Sequence, residues 1–245
     1  MNERWKTAAL GGLIGAAVSL AAVFGVFALG LIPAASDARL QGYMLGHPKL
    51  VYQMKELSDA QDAEAARQEE QAAVDKLGPK RFFDPAIAFV TGPQKAKNTI
   101  VEFYDYNCVH CRKTSHTVRK FYQKHKNDTR FAFIEFPIFG ENSINAARTS
   151  IAARAQGDRF LAFHFGLMSE SAEIDRDLLF QNAKSSGLDL AKLNAGIVDP
   201  ATDKTLLADS RLAREAKFQG TPVFIVNGKV HEGEISEADL KELIR

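Results

Sequence analysis

Val101-Glu102-Phe103-Tyr104-Asp105-Tyr106-Asn107-Cys108-Val109-His110-Cys111 is the stretch on which the reading of this chain turns. It passes from β-branched and aromatic residues, which suit a buried strand, into a Cys-x-x-Cys pair that opens a segment of helical character. Residues 99–104 are read as strand and 108 to about 125 as helix. Cys108 then stands at a helix N-terminus, where unpaired backbone N–H groups and the macrodipole favour a thiolate. Cys111, three residues on, lies on the same face one turn deeper and can reach Cys108 without backbone rearrangement. His110 between them adds a second stabiliser, as donor or cation. Favouring the thiolate stabilises the reduced pair and makes its disulfide a better oxidant. The implied cycle is attack of a client thiolate on Cys108, a mixed disulfide, then resolution.

These are the only two cysteines in 245 residues, which excludes a disulfide scaffold. A structural disulfide across so short a loop would remove little chain entropy. Half of a zinc site lacks a second Cys-x-x-Cys, with His116 weakly placed as a further ligand. Copper or soft-metal binding by the two cysteines and a histidine, or protection of other proteins from copper, stays open as the alternative function. Charge is balanced, 31 basic against 30 acidic side chains, which gives no footprint for nucleic acid.

Outward from the pair, residues 87–90 and 130–136 read as further strands. Strand–helix–strand alternation implies parallel pairing around the 108–125 helix. Residues 143–218 carry mostly helical periodicity, with Ile144, Ala147, Ile151 and Ala155 on one face. Residues 222–226 form a strand turned by Asn227-Gly228 into 229–231, a hairpin signal. Ser236 with Asp239 has the capping-box pattern before a last helix. His164, among Phe160, Phe163 and Phe165, is read as a packed helix residue.

Towards the N-terminus, residues 8–32 hold no charge and are dominated by Leu, Ile, Val, Phe, Ala and Gly. As a helix this run of about 25 residues would extend roughly 37 Å, enough to span a hydrocarbon core of about 30 Å. Arg4 and Lys6 before it place the N-terminus in the cytoplasm and the remainder outside. The competing reading is a cleaved signal peptide with its site at Ala34-Ala35-Ser36; both readings export the rest of the chain. Residues 36–44 suit a short helix broken near Gly46-His47. Pro48 then starts a helix-prone stalk that ends at Gly78-Pro79. The stalk is either a solvated spacer or a segment that joins copies through Leu40, Leu50, Met54 and Leu57. Glu64, Glu69 and Glu70 are read as its solvated face.

The 101–111 stretch resembles the active-site segment of the DsbA family of thioredoxin-fold oxidoreductases. Gly220-Thr221-Pro222-Val223-Phe224 is similar to that family's second signature, a loop with a cis-proline, and the helical block between the two resembles the family's helical insertion. The likeness covers roughly residues 87–245. The helices before it are similar by pattern to those of the ScsC-like, copper-sensitivity-suppressor branch. The resemblance implies an α/β thioredoxin fold with a helical insertion at about 141–218, the domain as a whole running 79–245. A cytoplasmic tip and transmembrane helix (1–35) and the stalk (36–78) precede it. It makes Cys108 the nucleophile, Cys111 the resolving thiol and His110 the histidine between them. Thr221, with Pro222 in cis, would pair with the client backbone as an added strand edge. Glu102, six residues before the nucleophile, matches a buried acid that handles the proton of the deeper thiol; the alternative is an outward position on an alternating strand. Val109 stands where the best-known members have proline, and Thr221 is more typical of isomerases than of the strongest oxidases.

The expected partners are exported cysteine-containing proteins, a membrane redox protein that re-oxidises or reduces the pair, the inner membrane itself, and further copies of the chain through the stalk. No cofactor or resident metal is expected. The direction of exchange, oxidase or isomerase, is left open.

Overall fold

The computed structural model describes residues 37–244. The chain divides after Asp62 into two compact units. The first contains helix α1 (Asp37–Gly46) and the opening turns of helix α2 (Pro48–Leu77). The break falls where Gly46-His47-Pro48 predicts it. The His47 ring stacks on Tyr43 and shares a 2.8 Å hydrogen bond with its carbonyl, and Pro48 opens α2. Leu40, Leu50, Met54 and Leu57 are all exposed. The expected membrane anchor, 8–32, lies outside the described residues. Among the described residues, no helix is long and apolar enough to cross a membrane.

The second unit, 63–245, takes in the last turns of α2, where Glu70 and Val74 are buried. Glu64 and Glu69 are solvated, as read from the sequence, but Glu70 is only 2% exposed. The reason is α2's contact with the later strands. Burial, and then the charge of neighbouring Glu232, push the Glu70 carboxyl up to about 7. Gly78, at φ 73, ends α2, and Pro79 opens the single turn α3 (Pro79–Phe82).

Strands β1 (Phe89–Thr91), β2 (Asn98–Tyr104), β3 (Thr129–Glu135), β4 (Val223–Val226) and β5 (Lys229–Glu232) form one sheet in the order β1-β3-β2-β4-β5. β2 and β3 pair in parallel around helix α4 (Val109–His125), as the strand–helix–strand alternation predicts. The remaining pairs are antiparallel. The first strand is shorter than the sequence suggests and starts two residues later. Ile87 and Ala88 donate their N–H groups to the Asp84 carbonyl and so belong to the turn at Pro85, although both are buried. Asn227 and Gly228, both at positive φ, make the tight hairpin that joins β4 to β5.

β2 is buried along almost its whole length, so its two faces serve two cores. On one face, Val101 and Phe103 join Phe82, Ala132, Ile134, Val223 and Ile225 under helix α9 (Pro200–Glu215). Phe103 meets Phe218 edge-on at 5.0 Å between ring centres, a geometry worth about 0.5–1.5 kcal/mol beyond its area. On the other, Ile100 and Tyr104 join Phe131, Phe133, Phe224 and both cysteines. The insertion helices α5 (Glu141–Arg154), α6 (Arg159–Leu167), α7 (Arg176–Ser185) and α8 (Leu190–Ile197) also pack into that core. On α5 the deepest stripe is Ser143, Ala146, Ser150 and Ala153. Ala147 and Ile151 of the expected face are buried beside it, while Ile144 and Ala155 are exposed. Helix α10 (Glu237–Leu243) closes the chain with the capping box between Ser236 and Asp239.

Candidate active site

Cys108 is the N-cap of α4, and its sulfur accepts the Cys111 backbone N–H at 3.4 Å. Both thiols are free and buried. Across from them the Thr221–Pro222 peptide is cis. The Cys108 thiol donates to the Thr221 carbonyl at 3.1 Å, so the sulfur and the loop before β4 are in direct contact.

The two sulfurs are in opposite electrostatic situations. The Cys111 thiol, hydrogen-bonded to Cys108, is the largest influence lowering the latter to about 6; burial opposes it. The Thr221 side chain and the backbone N–H groups of Cys111 and His110 lower it further. Burial drives Cys111 far above the ordinary thiol range, reinforced by the hydrogen bond and charge of Cys108. One thiol is thus poised to ionise near neutrality while its neighbour holds its proton.

Glu102 is 2% exposed, which removes the outward reading of this residue. By alternation it shares a face with Ile100 and Tyr104, and its register neighbours are Phe133 on β3 and Phe224 on β4. All four belong to the core that holds Cys111. Burial raises its carboxyl to about 8, and Oε2 has no hydrogen-bond partner. A carboxyl in that position can hold or release a proton near neutral pH.

The His110 ring does not turn to the sulfur. Its Nδ1 lies 2.7 Å from the Glu234 carboxylate, and it is the His110 backbone N–H that lowers the Cys108 thiol. Among the described residues, no group of three or more His, Cys, Asp and Glu side chains gathers as a metal-ligand set.

Several residues that position the site were not singled out from sequence. Asp105 accepts three backbone N–H groups: Asn107 at 2.8 Å, Ile138 at 2.7 Å and Phe139 at 3.1 Å. The Asn107 side chain brackets Ile174, accepting its N–H at 2.7 Å and donating to its carbonyl at 3.3 Å. The Tyr106 hydroxyl meets Ser150 at 2.8 Å and His164 Nδ1 at 3.1 Å. Ser150 and Tyr104 both donate to Glu135, whose other oxygen pairs with Arg154. Arg154 also holds Asp209 at 3.0 Å. His164 is the packed helix residue expected, held neutral to about pH 3 by burial and then by Arg154. The loop before Cys108 is thereby tied to the insertion through buried polar groups. A polar residue one or three places before a cysteine was the available signal for Asn107 and Asp105; Glu234 left none.

The thioredoxin family profile matches residues 87–245, which is well over half of the chain. The chain belongs to the thioredoxin family. A thioredoxin-like oxidoreductase from Silicibacter pomeroyi DSS-3 superposes with a TM-score of 0.62 at 32% identity, over 68% of this chain and 95% of that one. ScsC from Proteus mirabilis, in a transitional conformation, gives a TM-score of 0.63 at 22% identity, over 84% and 92% of the two chains. Disulfide bond formation protein D of Bacillus subtilis is 29% identical over 169 residues, 63% of this chain and 74% of that protein. A Na(+)/H(+) antiporter, NhaA 3 of Salinispora tropica, is 27% identical over 179 residues. This chain spans about a quarter of the length of such antiporters. Within the thioredoxin family, its fold is that of the DsbA-like thiol–disulfide oxidoreductases.

Proposed function

We propose that this protein exchanges disulfides with exported proteins through Cys108 and Cys111. The observation that carries the reading is the asymmetry of the two thiols, one lowered to about 6 beside the cis-Pro222 loop and the other buried and raised. In the oxidising direction, a client thiolate attacks Cys108 in the Cys108–Cys111 disulfide. The client–Cys108 bond forms, the Cys108–Cys111 bond breaks, and Cys111 leaves as a thiolate that takes a proton, with Glu102 as its donor. A second client thiolate then attacks the client sulfur and releases Cys108 as its stabilised thiolate. The client loses two electrons and the pair gains them. A membrane dithiol–disulfide protein resets the pair by the same exchange in reverse. Thr221 and Pro222 hold the client chain beside the sulfurs as an added strand edge. The curated relative named disulfide bond formation protein D supports this direction.

The exposed Leu40, Leu50, Met54 and Leu57 favour a second reading, isomerase or reductase. Copies joined through that seam would present several reduced pairs to one misfolded client. Residues 8–32 support an inner-membrane anchor with the exchange unit on the outer side; a mature N-terminus near Ser36 in the membrane fraction would replace it with a cleaved leader.

Cys111→Ala, which removes the resolving thiol, is the decisive variant. It is expected to accumulate mixed disulfides through Cys108, seen on non-reducing gels of exported proteins, and absence of adducts would overturn the exchange reading. Thiol trapping of the native pair in cells gives the direction: mostly oxidised for an oxidase, mostly reduced for an isomerase or reductase.

A further inference from the structure

The Glu234 carboxylate has no part in the exchange steps, yet it is held firmly against the helix that carries them. It stands between two anchored neighbours. Gly233 donates its N–H to the Pro222 carbonyl at 2.8 Å, next to the cis peptide. Ile235 exchanges two hydrogen bonds with the buried Thr114 hydroxyl of α4, at 3.1 Å and 2.9 Å. The Glu234 carbonyl meets His231 Nε2 at 3.0 Å. So fixed, one carboxylate oxygen takes two side chains from the first turns of α4, His110 Nδ1 at 2.7 Å and Lys113 Nζ at 3.0 Å. The hydrogen bond from His110, and then that from Lys113, hold the Glu234 carboxyl below its usual range.

Arg112 and Lys120 of α4 and Asp105 of the loop before it have partners of their own. Arg112 donates to the Ala172 carbonyl, Asp105 accepts backbone N–H groups of its own loop and of Ile138 and Phe139, and Lys120 pairs with Glu237. His110 is the one cation-forming side chain between the cysteines, and the Cys108 thiolate is stabilised without its ring.

We propose that Glu234 is a positioning residue that holds the His110 ring away from Cys108 and thereby limits how strongly the disulfide oxidises. The inference rests on the exchange reading above. A thiolate and a carboxylate compete for one imidazole. While Glu234 keeps it, the reduced pair lacks one stabilising donor. Release of the ring gives Cys108 that donor, favours the thiolate, and moves the pair toward its reduced form.

The test uses the full-length protein in detergent as wild type, Glu234→Gln, His110→Ala and the double variant. Two readouts are taken: thiolate absorbance against pH, and the equilibrium with glutathione. Gln keeps the size of Glu234 on an exposed loop and removes its charge. Glu234→Gln is expected to lower the Cys108 midpoint and shift the glutathione equilibrium toward reduced protein about tenfold, equivalent to about 30 mV. His110→Ala alone is expected to change both by less than about twofold. The double variant should return to near wild type, because the released ring is what acts; such non-additivity marks coupling between the two side chains. An unmoved midpoint in Glu234→Gln overturns the proposal. An effect that persists in the double variant also overturns it, since the carboxylate would then act on the sulfur directly. Absence of any thiolate step below pH 8 in the wild type, itself lost in Cys108→Ser, would instead count against the exchange reading.

Discussion

Replacing Glu102 with Gln should flatten the dependence of folding stability on pH. The folded carboxyl titrates near 8 because it is wholly buried, against an ordinary value of 4.5. Between those values the folded chain keeps a proton that the unfolded chain has already released. The unfolded state then binds fewer protons, so stability is full below about pH 4.5 and is lost as pH rises towards 8. At about 1.4 kcal/mol per pH unit, the loss attributable to Glu102 between pH 5 and pH 8 is about 4 kcal/mol. Gln abolishes that slope. It also leaves an amide beside the unpartnered Oε2 position, at a pH-independent cost of about 1–3 kcal/mol, so the slope and not the absolute stability is the readout. Glu70 and Asp209, both raised to about 7, and the lowered Cys108 titrate in the same window, but they do so in both proteins and cancel in the difference. Denaturant unfolding of reduced wild type and variant at pH 5, 6, 7 and 8 gives that difference directly. A gap between the two proteins that stays constant across this range within about 0.5 kcal/mol, the limit of such additivity arguments, would refute the buried, protonated carboxyl and with it Glu102 as proton donor to Cys111.

Two further outcomes are expected. Gly92→Ala would place a Cβ 2.2 Å from the Thr129 carbonyl oxygen at a φ of +87, so thermal unfolding should report a loss of about 3 kcal/mol; less than about 1 kcal/mol would mean that the strand end yields easily. A fragment of residues 36–245 should sediment as an oligomer that Leu50→Glu with Met54→Glu dissociates, whereas a concentration-independent monomer would remove the joined-copies reading.

What could be read from sequence was what is local. The Cys108–Cys111 spacing, the Asn227-Gly228 turn, the Ser236–Asp239 box and the break before Pro48 each depend on residues within a few positions of one another, and all are found in the structure. The α5 stripe was displaced for a physical reason. Ser150 faces the core because its hydroxyl serves Tyr106 and Glu135, and an apolar periodicity cannot register a buried hydroxyl. Glu70 read as solvated because its neighbours along α2 are; the surface that buries it arrives with β5. The partner of His110 is 124 residues away, on a loop whose Gly233 and Glu234 look like any polar turn. Sequence alone therefore pairs the histidine with the sulfur beside it, whereas in space its ring meets a carboxylate.

The contact between α2 and the sheet has a consequence for aggregation. β5 is an outermost strand, and an outermost strand offers unpaired N–H and C=O groups to any other extended chain. Here Gln71 occupies that position. Its side chain accepts the Val230 N–H at 2.9 Å and donates to the Gly228 carbonyl at 2.8 Å, supplying with one amide what a neighbouring strand would supply with its backbone. A fragment trimmed to Pro79, the start suggested by the Gly78-Pro79 break, would lose this cover together with Val74. It would keep Cys108 and Cys111 and gain an open sheet edge, prone to edge-to-edge association between molecules.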